Sequence, residues 1–494
     1  MSRVSLIYPS DGLVYKYARN RTRRMPLGLA YIGAALEQAG HSVKVVDGAL
    51  HDLTIDQIVE QALSTDPQYV GIGCTTPLYQ QAVKILDEIK KRSKAILIFG
   101  GPHVSALPEP SLNSSKADFV CIGEGEESMV AIIDHIDRDN MDFSDIPGIA
   151  WKMGGEIEGH NVEYRLRLHQ SKENTAKAID LNKCPIPARH LFEWKQYVDY
   201  ARDVYGPQTG TMFSRGCPGK CAFCGAADTL VRWRHTDNII RELKEIEAMG
   251  IKDVFIMDDT YTNNRKRIIE ISKRIIDEGI KLKLSVQLRL DQLDEEICDM
   301  MYASGVRYVG PGIESGNEQI IKAIGKGPRE SKKYMREKVR LLQKYDWRIR
   351  CSYVMGMVDE TEEQIMETIE FAKELGADEN AFSILVPYPD SPLWAIAKEK
   401  GLVNDYMDFS KFLYYHEVGC NLSAVPTERL LELHEFAYDY VGNPAYALDD
   451  DSVSSGHRPH VPYLASERFK EFRANQHKVK EVSYNQIDVD TDRS

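Results

Sequence analysis

The chain has 494 residues, with 62 lysines and arginines against 75 aspartates and glutamates, a formal net charge of −13. That acidic balance argues against nucleic-acid binding by bulk electrostatics, and 43% hydrophobic with 28% charged residues excludes a disordered chain. No apolar run reaches the ~18 residues of a membrane span, and MSRVSLIYPSDG carries no signal core, so a cytoplasmic, membrane-free protein is expected.

At about 150 residues per domain the length predicts roughly three domains. The first 145 residues alternate short apolar strands with helical patterns. Strands are predicted at Val4–Pro9, Val43–Asp47, Tyr69–Cys74, Ala95–Gly100 and Asp118–Gly123, with a helix over Leu27–Ala39 that closes at Gly40. Uniformly apolar strands are covered on both faces, which predicts a doubly wound, Rossmann-like parallel sheet. Such sheets bind ligands at the carboxyl ends of their strands, beside the switch in strand order. Residues 146–204 are rich in Gly and Pro and read as a linker or small β insertion. A second series fills 205–400. Its strands are predicted at Met212–Arg215, Asp253–Met257, Leu284–Leu288, Tyr308–Ile313, Arg350–Met355 and Phe382–Val386. Six βα units suit a partial parallel barrel, with functional residues on loops at the carboxyl ends of the strands. Residues 401–494 contain an amphipathic run, Thr427–Val441, and then a polar tail. They read as a small, mainly helical region that helps close the barrel mouth.

Nine cysteines in such a chain point to metal binding or catalysis, not to a disulfide framework. Three of them fall in Arg215-Gly216-Cys217-Pro218-Gly219-Lys220-Cys221-Ala222-Phe223-Cys224, directly after the first strand of the second series. Three thiolates on one glycine-rich loop, spaced C-x3-C-x2-C, can each ligate one iron of a cubane cluster and leave a fourth iron open to a small chelating molecule. A zinc site wants a fourth ligand, for which His235 is available. Cys74, Cys121, Cys184, Cys298, Cys351 and Cys420 share no motif and read mostly as small buried apolar residues.

The cysteine motif opening a six-unit βα barrel resembles the radical S-adenosylmethionine (SAM) enzymes. The resemblance implies a [4Fe-4S] cluster on Cys217, Cys221 and Cys224, with SAM on the open iron, and Phe223 beside the adenine. It places SAM contacts at strand ends. Asp258 or Asp259 would meet the amino group, with a helix N-cap at Asp259 or Thr262 as the plainer role. Gln287 and Arg289 end the third strand. Glu314 and Ser315, in Gly312-Ile313-Glu314-Ser315-Gly316, end the fourth; Glu314 would meet the ribose or the methionine moiety, or pair internally with Arg289. Arg232 and Arg234 would meet carboxylates of SAM or substrate, or simply face solvent.

A doubly wound domain ahead of such a barrel, with Gly100-Gly101-Pro102-His103, Gly123-Glu124-Gly125-Glu126 and Arg24-Met25-Pro26-Leu27-Gly28-Leu29-Ala30-Tyr31, resembles the cobalamin-binding subclass. There the cofactor's nucleotide tail enters the sheet's cleft and the corrin lies between the domains. The implied contacts are Gly71, Gly73, Thr75, Thr76, Gly100, Gly101 and Gly123, for which tight strand-to-helix turns are the plainer role. The D-x-H-x-x-G motif that supplies a cobalt-ligating histidine is absent, so any cobalamin is expected base-off without a histidine ligand. His103 reads as part of a turn. The basic run Lys16, Arg19, Arg21, Arg23 and Arg24 lies at the sheet's binding edge, where it would suit an anionic ligand. The resemblance implies a small-molecule substrate, reduction by a flavodoxin- or ferredoxin-type donor, and methylation of an unactivated carbon or a phosphinate phosphorus through a 5′-deoxyadenosyl radical and methylcobalamin. Cyclisation, rearrangement, dehydration or oxidation with the same cofactors, and a non-catalytic iron–sulfur or corrinoid sensor, are the alternatives.

Overall fold

The computed structural model describes residues 1–10, 24–153, 167–170, 179–203, 208–326, 331–415 and 417–442. Residues 16–23 of the basic run and the polar tail beyond 442 lie outside them. The first sheet contains β1 (Arg3–Tyr8), β2 (Ser42–Asp47), β3 (Tyr69–Gly73), β4 (Ile96–Gly100), β5 (Phe119–Cys121), β6 (Ile149–Met153) and β7 (Arg167–Gln170), in the order β2-β1-β3-β4-β5-β6-β7. The first five are parallel, and the order reverses between β1 and β3, so the crevice for a ligand opens at the carboxyl ends of those two strands. β6 and β7 add antiparallel beyond β5. The segment read from the sequence as a linker or small β insertion therefore supplies two strands that widen this sheet.

The second sheet is all parallel, with strands in simple succession: β8 (Thr209–Thr211), β11 (Asp253–Ile256), β12 (Lys283–Leu288), β13 (Val306–Glu314), β14 (Arg348–Met355) and β15 (Glu379–Ile384). This is the expected six-unit partial barrel. Its first strand ends earlier than the sequence pattern suggests. Ser214–Arg215 forms β9, which pairs antiparallel with β10 (Arg232–Trp233) in a separate ribbon. The cause is Asp258 at the end of β11. Its carboxylate accepts the amides of Phe213 (2.7 Å) and Ser214 (3.1 Å) and the Ser214 hydroxyl (2.6 Å), which draws the chain out of the sheet.

An open barrel has two edge strands whose backbone groups need partners. At the β8 edge, Arg189 donates to the Gly210 carbonyl (2.6 Å). At the β15 edge, the helix Thr427–Val441 supplies His434, bonded to the Phe382 carbonyl (2.9 Å), and Tyr438, which bonds both the amide and the carbonyl of Phe382. The C-terminal region thus seals an edge of the barrel as well as bordering its mouth. No helix among the described residues is long and apolar enough to cross a membrane.

Candidate functional site

The residues between β9 and β10, 216–231, form one long hairpin that carries all three motif cysteines. Gly216 opens it at φ 98°, where a Cβ would also overlap the Leu230 carbonyl, so only glycine fits. Thr229 ties the two arms: its hydroxyl accepts the Cys217 amide (2.9 Å) and its amide donates to the Cys217 carbonyl (3.0 Å). Ala222 fixes the tip to the barrel, donating to Ile324 and accepting from Leu393. Phe223 is half-buried against the barrel core.

The three cysteines are free and half-buried. Burial pushes the Cys224 thiol up to about 11 and raises Cys221 as well, with Glu314 adding to the latter. Among the described residues no group of three or more Cys, His, Asp or Glu is drawn together around one metal-ion position. Three thiols on one glycine-rich loop suit a cluster, whose ligands bind separate irons. N–H donors already face the sulfurs. The Gly219 amide lies 3.4 Å from Cys217 Sγ and Arg289 Nη1 lies 3.9 Å from Cys221 Sγ. The residues present therefore fit a [4Fe-4S] cluster.

Around the hairpin the barrel's concave face is polar. Gly310 and Gly312 on β13 leave space there: a Cβ at the first would overlap the Gln287 amide, and one at the second the Glu314 carboxylate. Glu314 sits at φ 69°, a rare backbone state for a side chain with a Cβ, and Lys326 holds it. The Lys326 ammonium is buried and bonds both the Gly312 carbonyl and Glu314 Oε1 (3.1 Å). Arg289 pairs with Asp291 and donates to the Lys326 carbonyl (2.7 Å), so the expected Glu314–Arg289 pair gives way to two separate ones. Lys326, flanked by Gly325 and Gly327, was not singled out from the sequence; its only local signal is that glycine context.

Other residues serve the scaffold. Asp258 is buried, and burial pushes its carboxyl up to about 6 against the pull of its Ser214 and Phe213 hydrogen bonds. Asp259 is exposed and accepts the Gly216 amide (2.7 Å). The N-cap of the helix that follows is Asn264, not Asp259 or Thr262; Thr262 bonds the backbone of Arg289 instead. Ser315 is turned inward to Thr368 (3.0 Å), because the left-handed turn at Glu314 swings the chain toward the helix Glu362–Leu375. Arg232 and Arg234 meet protein carboxylates, Glu124 and Glu242, so their charges are paired within the protein.

At the first sheet's carboxyl edge, Gly73 is half-exposed, where a Cβ would make only ordinary contact with Leu29, and Thr75 is exposed nearby. Gly123 is exposed at φ 82°. Gly100 is half-buried, and Thr76 is buried in a short turn of helix. Gly71 lies deeper, where a Cβ would meet Met129 and Leu6, and Gly101 is filled from behind by the Cys74 backbone. Those two glycines pack the fold. His51 pairs with Glu193 (2.9 Å), and His103 is buried between Tyr79 and Phe409. A carboxyl edge with half-exposed Gly73 beside the topological switch and exposed Gly123 at the end of β5 fits the tail of a corrinoid.

The two halves meet at two junctions. In the first, the Glu124 carboxylate accepts Arg215 Nη1 (2.8 Å), both terminal nitrogens of Arg232 (2.8 and 2.9 Å) and the Ile179 amide (3.0 Å). Glu126 takes the other arm of Arg215 (2.7 Å), whose guanidinium also lies over the Tyr31 ring. Behind it, Arg189 and Arg234 flank the fully buried Glu242. In the second junction, Phe409 inserts among Tyr79 and His103 of the first domain and Trp394 and Phe412 beside the barrel. Gln80 bonds the backbone of Met407 and Phe409.

Comparison with known proteins agrees with this architecture. Residues 22–133 match the B12 binding domain family, and residues 211–372 match the Radical SAM superfamily. The chain is 32% identical over 386 residues to an uncharacterized methyltransferase of Pyrococcus horikoshii, covering 76% of this chain and 79% of that one. It is 24% identical over 437 residues to the cytidylyl-2-hydroxyethylphosphonate methyltransferase of Streptomyces wedmorensis, covering 79% and 80%. The fold superposes on the radical S-adenosylmethionine methyltransferase TsrM of Kitasatospora setae with a TM-score of 0.69 at 18% identity, over 90% of each chain. With the cluster hairpin, the partial barrel and the doubly wound sheet in place, the chain belongs to the radical SAM enzymes that carry a B12 binding domain.

Proposed function

We propose that the protein is a cobalamin-dependent methyltransferase acting on a small molecule at a centre that ordinary polar methyl transfer cannot reach, an unactivated carbon or a phosphinate phosphorus. The observation that carries this reading is the position of the cysteine hairpin, whose base is bolted to the end of β5, beside the edge of the sheet that fits a corrinoid. With both groups bound, the cluster supplies one-electron cleavage of SAM and the corrinoid supplies a methyl group.

The chain's own part is binding, orientation and exclusion of water. Cys217, Cys221 and Cys224 would hold the cluster, and Arg289, just past β12, reaches the Cys221 sulfur. Phe223, Asp259, Gln287 and Glu314 line the SAM side, with Lys326 pairing with the Glu314 carboxylate and fixing its direction. Gly73, Thr75, Gly100 and Gly123 offer the corrinoid edge. Tyr388 and Tyr414, 5.7 Å apart edge to face beyond β15, wall the mouth. A flavodoxin- or ferredoxin-type donor would deliver the electrons.

The test is incubation of the reduced, reconstituted protein with candidate substrates and methyl-labelled SAM. Label in the product, with 5′-deoxyadenosine released, supports methylation. 5′-Deoxyadenosine with unlabelled product would sink methyl transfer and leave another radical outcome. Replacing the three cysteines with Ala should abolish iron binding and 5′-deoxyadenosine formation.

A further inference from the structure

The hairpin that carries the cysteines is closed at its base by Arg215 and Arg232, which face each other as a pair in the β9–β10 ribbon. Both guanidiniums converge on one carboxylate, Glu124, which comes from the other domain. Glu124 directly follows Gly123, the exposed glycine at the end of β5. Its second oxygen also accepts the Ile179 amide, and Arg232 returns a bond to the Ile179 carbonyl (2.8 Å). All three charged side chains are largely buried, at 14–22% exposure. Ion pairs of this kind add little net stability, because desolvation offsets their attraction, but they penalise any arrangement that separates them. A fixed bidentate fork on one carboxylate also sets direction as well as distance.

We propose that Glu124 is a positioning residue that sets the cluster hairpin's place relative to the corrinoid-binding edge. One carboxylate gathers both strands of the hairpin and hangs them from the backbone that borders that edge. A shift of Gly123 would move the hairpin base with it. Among the described residues Glu126 pairs with Arg215 alone, so it steadies one strand without gathering both. This inference rests on the reading that a corrinoid occupies the sheet edge.

The test compares wild type, Glu124→Gln and Glu126→Gln, each reconstituted with iron, sulfide and cob(II)alamin. Glu124→Gln keeps the side chain's shape and loses the charge that holds two guanidiniums. Its iron and corrinoid contents should match wild type. The electron paramagnetic resonance interaction between cob(II)alamin and the reduced cluster should change, and amides of 216–231 should exchange about tenfold faster. Glu126→Gln should show the smaller effect on both. Should Glu124→Gln not fold, Arg232→Gln gives the same readouts with the Arg215–Glu126 pair intact. An unchanged spin interaction in Glu124→Gln, beside a clear one in wild type, overturns this inference alone, as would an equal effect from Glu126→Gln. A wild type that takes up no corrinoid overturns the functional reading and this inference with it.

Discussion

The two junctions between the domains do the same mechanical task with opposite chemistry. The junction around Phe409 is a stack of aromatic rings, and its attraction comes from burial and dispersion, which tolerate small shifts of the rings. The junction around Glu124 and Glu242 is built from guanidinium–carboxylate forks, whose attraction is costly to assemble and sharply directional. The aromatic junction includes Trp394, whose neighbour Leu393 bonds Ala222 at the hairpin tip. The ionic one lies at the base of the cysteine hairpin. The directional chemistry is thus placed at the base, where both strands of the hairpin are gathered.

The largest test of that contrast is Glu242→Gln. It leaves Arg189 and Arg234 buried without a counter-charge, and should cost about 4 kcal/mol in urea unfolding. Phe409→Ala should cost about 3 kcal/mol by opening a cavity at the other junction. Its methyl-transfer geometry, read as cob(II)alamin–cluster spin interaction, should change less than that of Glu124→Gln.

A buried carboxylate outside both junctions shows what the guanidiniums contribute. Burial alone would raise Glu242, yet Arg189 and Arg234 outweigh it and hold the carboxyl below its usual range; Glu124 behaves likewise with Arg232 and Arg215. Glu360 is as deeply buried, but among the described residues its partners are the Gly356 and Met357 amides (2.7 and 2.9 Å) and no cation. Burial pushes it up to about 7, from an ordinary value of 4.5. Its folded-state value exceeds the unfolded one, so its contribution is full below pH 4.5 and is lost as pH rises through 7. Both amides meet one oxygen, which the carbonyl of Gln can replace. Glu360→Gln should therefore gain about 2–3 kcal/mol over wild type between pH 5 and pH 8, read from urea midpoints at both pH values. A constant difference would refute this.

The smallest effect separates the junctions by acid. Burial holds His103 down to about 4, from 6.5. Its folded-state value is depressed, so the stability it contributes is present above pH 6.5 and lost as pH falls toward 4. Glu124 is also depressed, from 4.5, so its share is lost only below that. On acidification, amides of 405–412 should lose protection before those of 216–231, after correction for intrinsic exchange rates. His103→Phe should erase the difference in onset.

Much of this was legible in the chain alone. Strand and helix positions follow from hydrophobic period, and the last five barrel strands and the first five strands of the first sheet lie where that period puts them, within a few residues. The cysteine hairpin was legible because three thiols at fixed spacing are a local pattern. The first barrel strand was misplaced because Asp258, more than forty residues downstream, decides where it ends. Arg232 and Arg234 read as ligand-binding or solvated cations because a charge in sequence carries no label for its partner. Glu124 lies 91 residues from Arg215 and 108 from Arg232.

By itself, then, the sequence determined what depends on neighbours along the chain: the alternation of strands and helices, the turn at Gly216, the trio of thiols and the net charge. Only the tertiary structure decided which carboxylate meets which guanidinium, that Ser315 turns inward and Glu314 outward, and that Phe409 joins the two domains. Periodicity and motif spacing are local properties of a chain. The pairing of buried charges is set by where the packed layers bring distant segments together, and by the cost of leaving any of them without a partner.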